Sequence, residues 1–312
     1  MHPDAGSLTP YEENGQKMTV KVNVSLVQFD AKVLEPELNL TRMQAAIGAE
    51  AKQGAQLIVF PELSNTGYVE PLTPGAPFSP EAGEADRYPF RLFQAAEPQN
   101  GPFITSLCDL AREHRLHVVA GLALRHPVQQ GVMHNASVLI GPHGVLGTYH
   151  KIHRWHLEKL YFMAGESISV QQTMLGPIGM QICYDIRFPE LTRALMLHGA
   201  QIVTNIWASF RPHDKPLEDD QIFTHRAYTR ATENGVFFLS CNRAGRQGRC
   251  AFMGRSVIVA PDGRILAQSS SEDEDVIRAE LDLDDVARYR TYVGLATDRR
   301  ADMYAQYLTT PI

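Results

Sequence analysis

The chain has 312 residues, 44% of them hydrophobic and 21% charged, and carries a formal net charge of −6. This is ordinary globular composition at a length that an α/β fold reaches as one unit. A net acidic chain gives no electrostatic footprint for nucleic acid or an anionic membrane surface, and no apolar run approaches the roughly 18 residues that a membrane helix needs.

The chain opens on MHPDAGSLTPYEENGQKMTVKV, which is polar and lacks the apolar stretch of a secretory signal. Residues 1–18 are expected to form a disordered tail, with Met18 an alternative start, and 19–312 a single domain. KVNVSLVQFD places Val22, Val24 and Leu26 at period two and predicts a strand. NLTRMQAAIGAEAKQG predicts a helix stopped by Gly54, and AQLIVF a short strand buried on both faces. A proline- and glycine-rich excursion (71–90) leads to a helix near 102–115 and the strand LHVVAGLAL. NASVLI-GPHG-VLGTYH then closes this half as a hairpin.

The second half replays that order. IGMQIC predicts a strand, FPELTRALMLHG a helix, AQIVTNIW a buried strand, 217–234 a helix, GVFFLSCN a strand and RSVIVA-PDG-RILAQS a hairpin. Both halves run β-α-β-α-β-β without detectable sequence identity. Alternating helices and buried strands require a layered α/β domain; with helices on one side of each sheet and a second sheet on the other, it becomes a four-layer α-β-β-α sandwich. The hairpins disfavour a plain Rossmann fold or TIM barrel, and neither GxGxxG after a strand nor GxxxxGK[ST] occurs.

Ligand sites in open α/β folds lie beyond the carboxyl ends of the strands. Three different reactive groups leave strands there: Glu62 in LIVFPELSNTGY, Lys151 in VLGTYHKIHRWHLEKLYF, and Cys183 in GMQICYDIRF. Singly, each has an ordinary explanation as a cap, a surface lysine or a core cysteine. Together they supply the base, electrophilic cation and nucleophile that acyl transfer to a thiol requires. A free thiol, with pKa near about 8.5, needs Glu62 as a general base to attack an amide or nitrile at neutral pH. Lys151 and the backbone N–H of Tyr184 would hold the oxyanion, helped by the positive end of the following helix.

In these segments the chain resembles the nitrilase superfamily, the carbon–nitrogen hydrolases. The family carries its Glu-Lys-Cys triad in the contexts F-P-E, Y-x-K-x-H and C-Y-D-x-R-F-P-E; here stand FPE at 60–62, YHKIH at 149–153 and CYDIRFPE at 183–190. TRATENGVFFLSCNRAG, GRSVIVAPDGRILA and DRRADMY extend the likeness from about residue 20 to the C-terminus. The resemblance implies Glu62 as base, Lys151 as oxyanion stabiliser and Cys183 as nucleophile, on the α-β-β-α sandwich. It also implies a homodimer or larger homo-oligomer, with the C-terminal segment at its interface, and no cofactor. Glu158 in WHLEKLYFMAGE matches the second glutamate that many members carry after the lysine.

CYDIRFPE is similar to the amidase-type branches, such as the omega-amidases, whereas true nitrilases usually show C-W-E. The expected substrate is therefore a small-molecule amide, with nitriles and N-carbamoyl compounds as alternatives. Arg187 is the candidate partner for a substrate carboxylate, or else pairs with Asp185 or Glu190. Asn205 and Trp207 end a strand whose tip usually lines the pocket in the family, and Trp207 is either an aromatic wall or core. HRWHLE replaces the usual H-L-F or H-L-P after the lysine, and the common H-W-x-x-L before TRATEN is missing.

Two readings compete. His150, His153 and His156 could hold a metal, but steps of three drift around a helix and no HExxH accompanies them, so no metal site is expected. An inactive binding scaffold is the other, against which the complete triad argues. Cys108, Cys183, Cys241 and Cys250 show no CxxC spacing, which suits thiols in a reducing cytoplasm.

Overall fold

The computed structural model describes residues 20–68, 88–211, 221–247 and 250–308. The expected tail at 1–18 and most of the 71–90 excursion lie outside them. The first half contains β1 (Lys21–Gln28), α1 (Pro36–Lys52), β2 (Leu57–Val59), α2 (Tyr88–Ala95), α3 (Pro102–His114), β3 (His117–Arg125), β4 (Met133–Gly141) and β5 (Gly144–His150). The short α4 (Glu158–Tyr161) and β6 (Val170–Gln171) lead to β7 (Ile178–Ile182), a 3-10 turn (Cys183–Arg187), α5 (Pro189–Leu197), β8 (Ile202–Trp207) and β9 (Phe210–Arg211). Then come α6 (Ile222–Asn234), β10 (Phe237–Asn242), β11 (Arg246–Gln247), β12 (Cys250–Phe252), β13 (Val257–Val259), β14 (Ile265–Gln268), β15 (Asp275–Asp282), α7 (Asp284–Val293) and α8 (Ala301–Leu308).

These strands build two six-stranded sheets, in the orders β15-β1-β2-β3-β4-β5 and β14-β13-β10-β8-β7-β6. In the first, β1, β2 and β3 are parallel and β3-β4-β5 an antiparallel meander; in the second, β7, β8 and β10 are parallel and β10-β13-β14 antiparallel. The two halves thus fold alike, as their shared element order predicts. Five strands go beyond it: β15 pairs antiparallel with β1, tying the late chain into the first sheet, β6 pairs with β7, and β9, β11 and β12 form a small third sheet in the order β11-β12-β9. The helix expected over 217–234 is described from Ile222.

Side-chain alternation sets the layers. Val24, Leu26, Val119 and Leu139 of the first sheet meet Met180, Ile182, Ile206 and Leu239 of the second in one buried core. The opposite face of the first sheet packs on Met43 and Ile47 of α1 and Leu107 and Ala111 of α3. The outer face of the second packs on Leu195 of α5 and Ala227 and Ala231 of α6. The architecture is an α-β-β-α sandwich.

One glycine governs how the turn after β2 lies across the sheet. Pro61–Gly67 rests on β3: Ser64 N–H donates to the Gly121 carbonyl at 2.6 Å, and the Asn65 amide pairs with both N–H and C=O of Ala123 at 2.9 and 3.1 Å. A Cβ on Gly121 would stand 2.3 Å from the Pro61 carbonyl oxygen and 2.6 Å from the Glu62 Cα. Both are backbone atoms, so the turn itself must move. Gly121→Ala should destabilise the fold by about 1–3 kcal/mol in urea unfolding and displace Glu62. Wild-type stability in that variant would count against this packing.

Candidate active site

Glu62, Lys151 and Cys183 each stand just past a strand end, on β2, β5 and β7, and the sandwich brings these ends together. Lys151 is fully buried and held by its own backbone: its N–H donates to the Asn135 carbonyl at 2.8 Å, and its carbonyl accepts from Gly165 N–H at 2.9 Å. Its ammonium donates to Glu62 Oε1 and to Glu158 Oε1, both at 2.7 Å, and both carboxylates are fully buried. A helix-face carboxylate such as Glu158 is ordinarily solvated. The first turn of α4 instead points it inward.

Each carboxylate is saturated. Glu62 Oε1 also accepts from Asn135 Nδ2 at 2.6 Å, and its Oε2 from Ala208 N–H at 2.8 Å. Glu158 Oε1 also accepts from the Tyr68 hydroxyl at 2.5 Å, and its Oε2 from Trp155 N–H at 3.3 Å. Burial opposes the charge on Lys151, but the two carboxylates outweigh it and hold its pKa well above the ordinary lysine value. Burial pushes Glu158 up to about 7, against the pull of Lys151. The Cys183 thiol is likewise pushed well above its usual range, by desolvation first and then by the Glu62 charge, with Lys151 opposing. The resting centre is therefore a neutral thiol beside a lysine ammonium held between two buried carboxyl groups.

The turn that carries Cys183 is gripped from two sides. Cys183 has a left-handed backbone (φ 49°), a conformation that costs a non-glycine residue of order 1–3 kcal/mol unless its surroundings enforce it. Asp185, fully buried, accepts from Ile182 N–H (3.0 Å), the Tyr149 hydroxyl (2.7 Å) and His153 N–H (3.0 Å), and its Oδ1 lies 2.8 Å from His153 Nδ1. Tyr149 and His153 flank Lys151, so one carboxylate binds the lysine segment to the cysteine turn. On the far side Arg230 of α6 donates Nε and Nη2 to the Ile186 carbonyl at 3.0 and 2.7 Å.

The remaining candidates fall in different places. Tyr184 follows the cysteine in the turn, its ring edge-on to Phe188. Arg187 is exposed, with its guanidinium 5.8 Å from the Tyr184 ring centroid, while Asp185 is committed to Tyr149 and His153. Asn205 and Trp207 do not join the triad. They share with Val203 the face of β8 turned to the helices: Trp207 packs on Phe223 and donates to Ser240 Oγ at 2.6 Å, and Asn205 accepts from Gln181. Trp207 is thus packed in the core beneath α6. The three histidines separate: His150 stacks on His134, His153 binds Asp185, and His156 lies against Trp155.

Sequence reasoning missed Tyr68, Asn135, Tyr149, Asp185, Ala208 and Arg230 as partners of the site. Tyr149 and Asp185 stand inside the very segments that flag the triad, and Arg230 inside TRATENGVFFLSCNRAG, and all three could have been found there. Asn135, Ala208 and Tyr68 make contacts far apart in the chain and leave no local signal.

A family model described as carbon-nitrogen hydrolase matches residues 23–291. The chain is 32% identical to a nitrilase of Pyrococcus abyssi, covering 91% of this chain and 99% of that protein. It is 31% identical to an N-carbamoylputrescine amidase of Oryza sativa subsp. japonica, covering 93% and 95%. Its fold is similar to that of an amidase from Nesterenkonia sp. AN1 solved in complex with butyramide (TM-score 0.70, 26% identity, 92% and 97% covered). With the matched segment spanning both sheets, the chain belongs to the carbon–nitrogen hydrolase family and is a hydrolase of the amidase and nitrilase type.

Proposed function

We propose that the protein hydrolyses a small-molecule amide to a carboxylic acid and ammonia or an amine through a thioester on Cys183. The observation that carries this reading is the fully buried Glu62–Lys151–Glu158 row set against a thiol on a left-handed turn. Glu62 takes the thiol proton as Sγ attacks the carbonyl carbon. Lys151 and the Tyr184 N–H steady the oxyanion. The tetrahedral adduct collapses, the nitrogen leaves with the proton from Glu62, and a thioester remains. Glu62 then deprotonates a water that attacks the thioester, and the proton returns to the departing sulfur.

Glu158 holds Lys151 through a second buried ion pair. Three catalytic roles thus fall to Glu62, Lys151 and Cys183, with Glu158 fixing the cation. The amide reading is supported by the similarity to the amidase solved with butyramide and by the C-Y-D context of the cysteine. A nitrile would pass through a thioimidate at the same sulfur.

Three outcomes test this function. In a panel of primary amides, N-carbamoyl compounds and nitriles read by ammonia release, amide turnover should lead, and Cys183→Ala should lower it by about 10³-fold or more. Nitrile turnover well above amide turnover would reverse the choice. Intact mass should show a substrate-sized acyl adduct lost in Cys183→Ala.

The raised thiol sets a second test. Alkylation of Cys183 by iodoacetamide should gain rate with pH up to a midpoint above the ordinary thiol value near about 8.5. Glu158→Gln removes a like charge from its vicinity, so the thiolate becomes easier to form and the midpoint should fall. An upward shift would contradict this electrostatic arrangement.

The proposal extends to a homodimer formed through the C-terminal segment, where Tyr292, Tyr304 and Tyr307 are exposed on α7 and α8. Sedimentation at micromolar concentration should give a dimer or larger, and a chain cut before α8 should shift toward monomer. A reducing cytoplasm is the setting that suits four cysteines that form no disulfide among the described residues.

A further inference from the structure

Behind Glu158 a second row of buried polar groups ends in a cation that the chemistry above does not use. Arg243, just past β10, is fully buried. Its Nη1 donates to Gln247 Oε1 at 2.6 Å, its Nη2 to the Ala31 carbonyl at 2.5 Å, and its guanidinium lies 4.1 Å from the Phe252 ring centroid. Asp30, mostly buried, stands 3.6 Å away. A buried arginine is a poor device for stability alone, because its desolvation cost is large.

Its geometry does something more specific. An arginine has only donors, so it must face the oxygen of the Gln247 amide and turn the nitrogen away. Gln247 then meets Tyr68 like a neighbouring strand: Oε1 accepts from Tyr68 N–H at 3.1 Å, and Nε2 donates to the Tyr68 carbonyl at 2.5 Å. With its backbone clamped and its ring edge-on to Phe252, Tyr68 has its hydroxyl on Glu158 Oε1. The same oxygen accepts from Lys151.

We propose that Arg243, Gln247 and Tyr68 form a positioning relay that seats the Glu158 carboxylate on Lys151. The relay rests on the reading of Lys151 and Cys183 as the reacting centre. None of its three members reaches the reacting atoms; Tyr68 acts through Glu158, Gln247 through Tyr68 and Arg243 through Gln247.

The ionisable groups acting on Glu158 are Lys151, Glu62, Tyr68 and Cys183. The Tyr68 hydroxyl donates to the ionised carboxylate and so favours it; without that donor Glu158 keeps its proton to higher pH. The test follows the Glu158 carboxyl by ¹³C NMR on glutamate-labelled protein, with Glu158→Gln identifying the resonance, and amide turnover in parallel. Wild-type protein should titrate at about 7. Tyr68→Phe should move that midpoint upward and lower kcat by about tenfold to a hundredfold, with little change in KM. Gln247→Asn, which keeps the amide but shortens its reach, should move both in the same direction and covers the case in which Tyr68→Phe does not fold. An unshifted midpoint and unchanged kcat in a folded variant would overturn the relay while leaving amide hydrolysis intact. Absent amide turnover in wild type would overturn the functional reading, and the NMR midpoint would still decide the relay.

Discussion

An ammonium group buried between two carboxylates is the constraint around which the rest of this molecule is arranged. Lys151 has no access to water, and neither have Glu62 and Glu158. Charges in such a place are tolerable only when paired and fully hydrogen-bonded. Meeting that condition takes donors from distant parts of the chain: Asn135 on β4, Ala208 past β8, Trp155 before α4 and Tyr68 past the turn from β2. The two sheets must be docked in register for all of these to converge. The sandwich and the site are, in energetic terms, one problem with one solution.

The same logic explains the left-handed cysteine. A strand that simply continued past Ile182 would send its next side chains alternately into the inter-sheet core and the helical layer. The turn at Cys183 breaks that alternation, and the strain is sustained by the Asp185 carboxylate and by Arg230. Asp185 accepts from the turn and from Tyr149 and His153, two residues to either side of Lys151, so cation and thiol are referenced to a single buried group. Precision at a reacting centre depends on such supporting contacts as much as on the reacting groups.

Much of this was legible in the sequence, for reasons that are local. Period-two alternation in KVNVSLVQ, the unbroken apolar run LIV and the largely apolar IVTNIW mark strands buried to different degrees, and the repeated β-α-β-α-β-β order follows from their succession. Glu62, Lys151 and Cys183 stood out because strand ends are where α/β folds place ligands. Asn205 and Trp207 sit at a strand end too, but on the face turned to α6, and the parity of β8 is fixed only by how the sheet packs. β15 escaped notice because its partner β1 lies at the other end of the chain. Gln247 and Tyr68, far apart in sequence, form a contact that no local pattern announces.

The division of the site between the two halves has a consequence for the chain before it is complete. Glu62, Lys151 and Glu158 precede the second sheet, while Cys183 and Ala208 belong to it. A chain with only its first half assembled holds the carboxylates and the lysine without a thiol to act on. A loose second half exposes Cys183 to water without the base and the cation that the proposed reaction pairs with it. On the proposed reading, amide hydrolysis therefore arises only on docking of the sheets, which couples completion of folding to the onset of that chemistry.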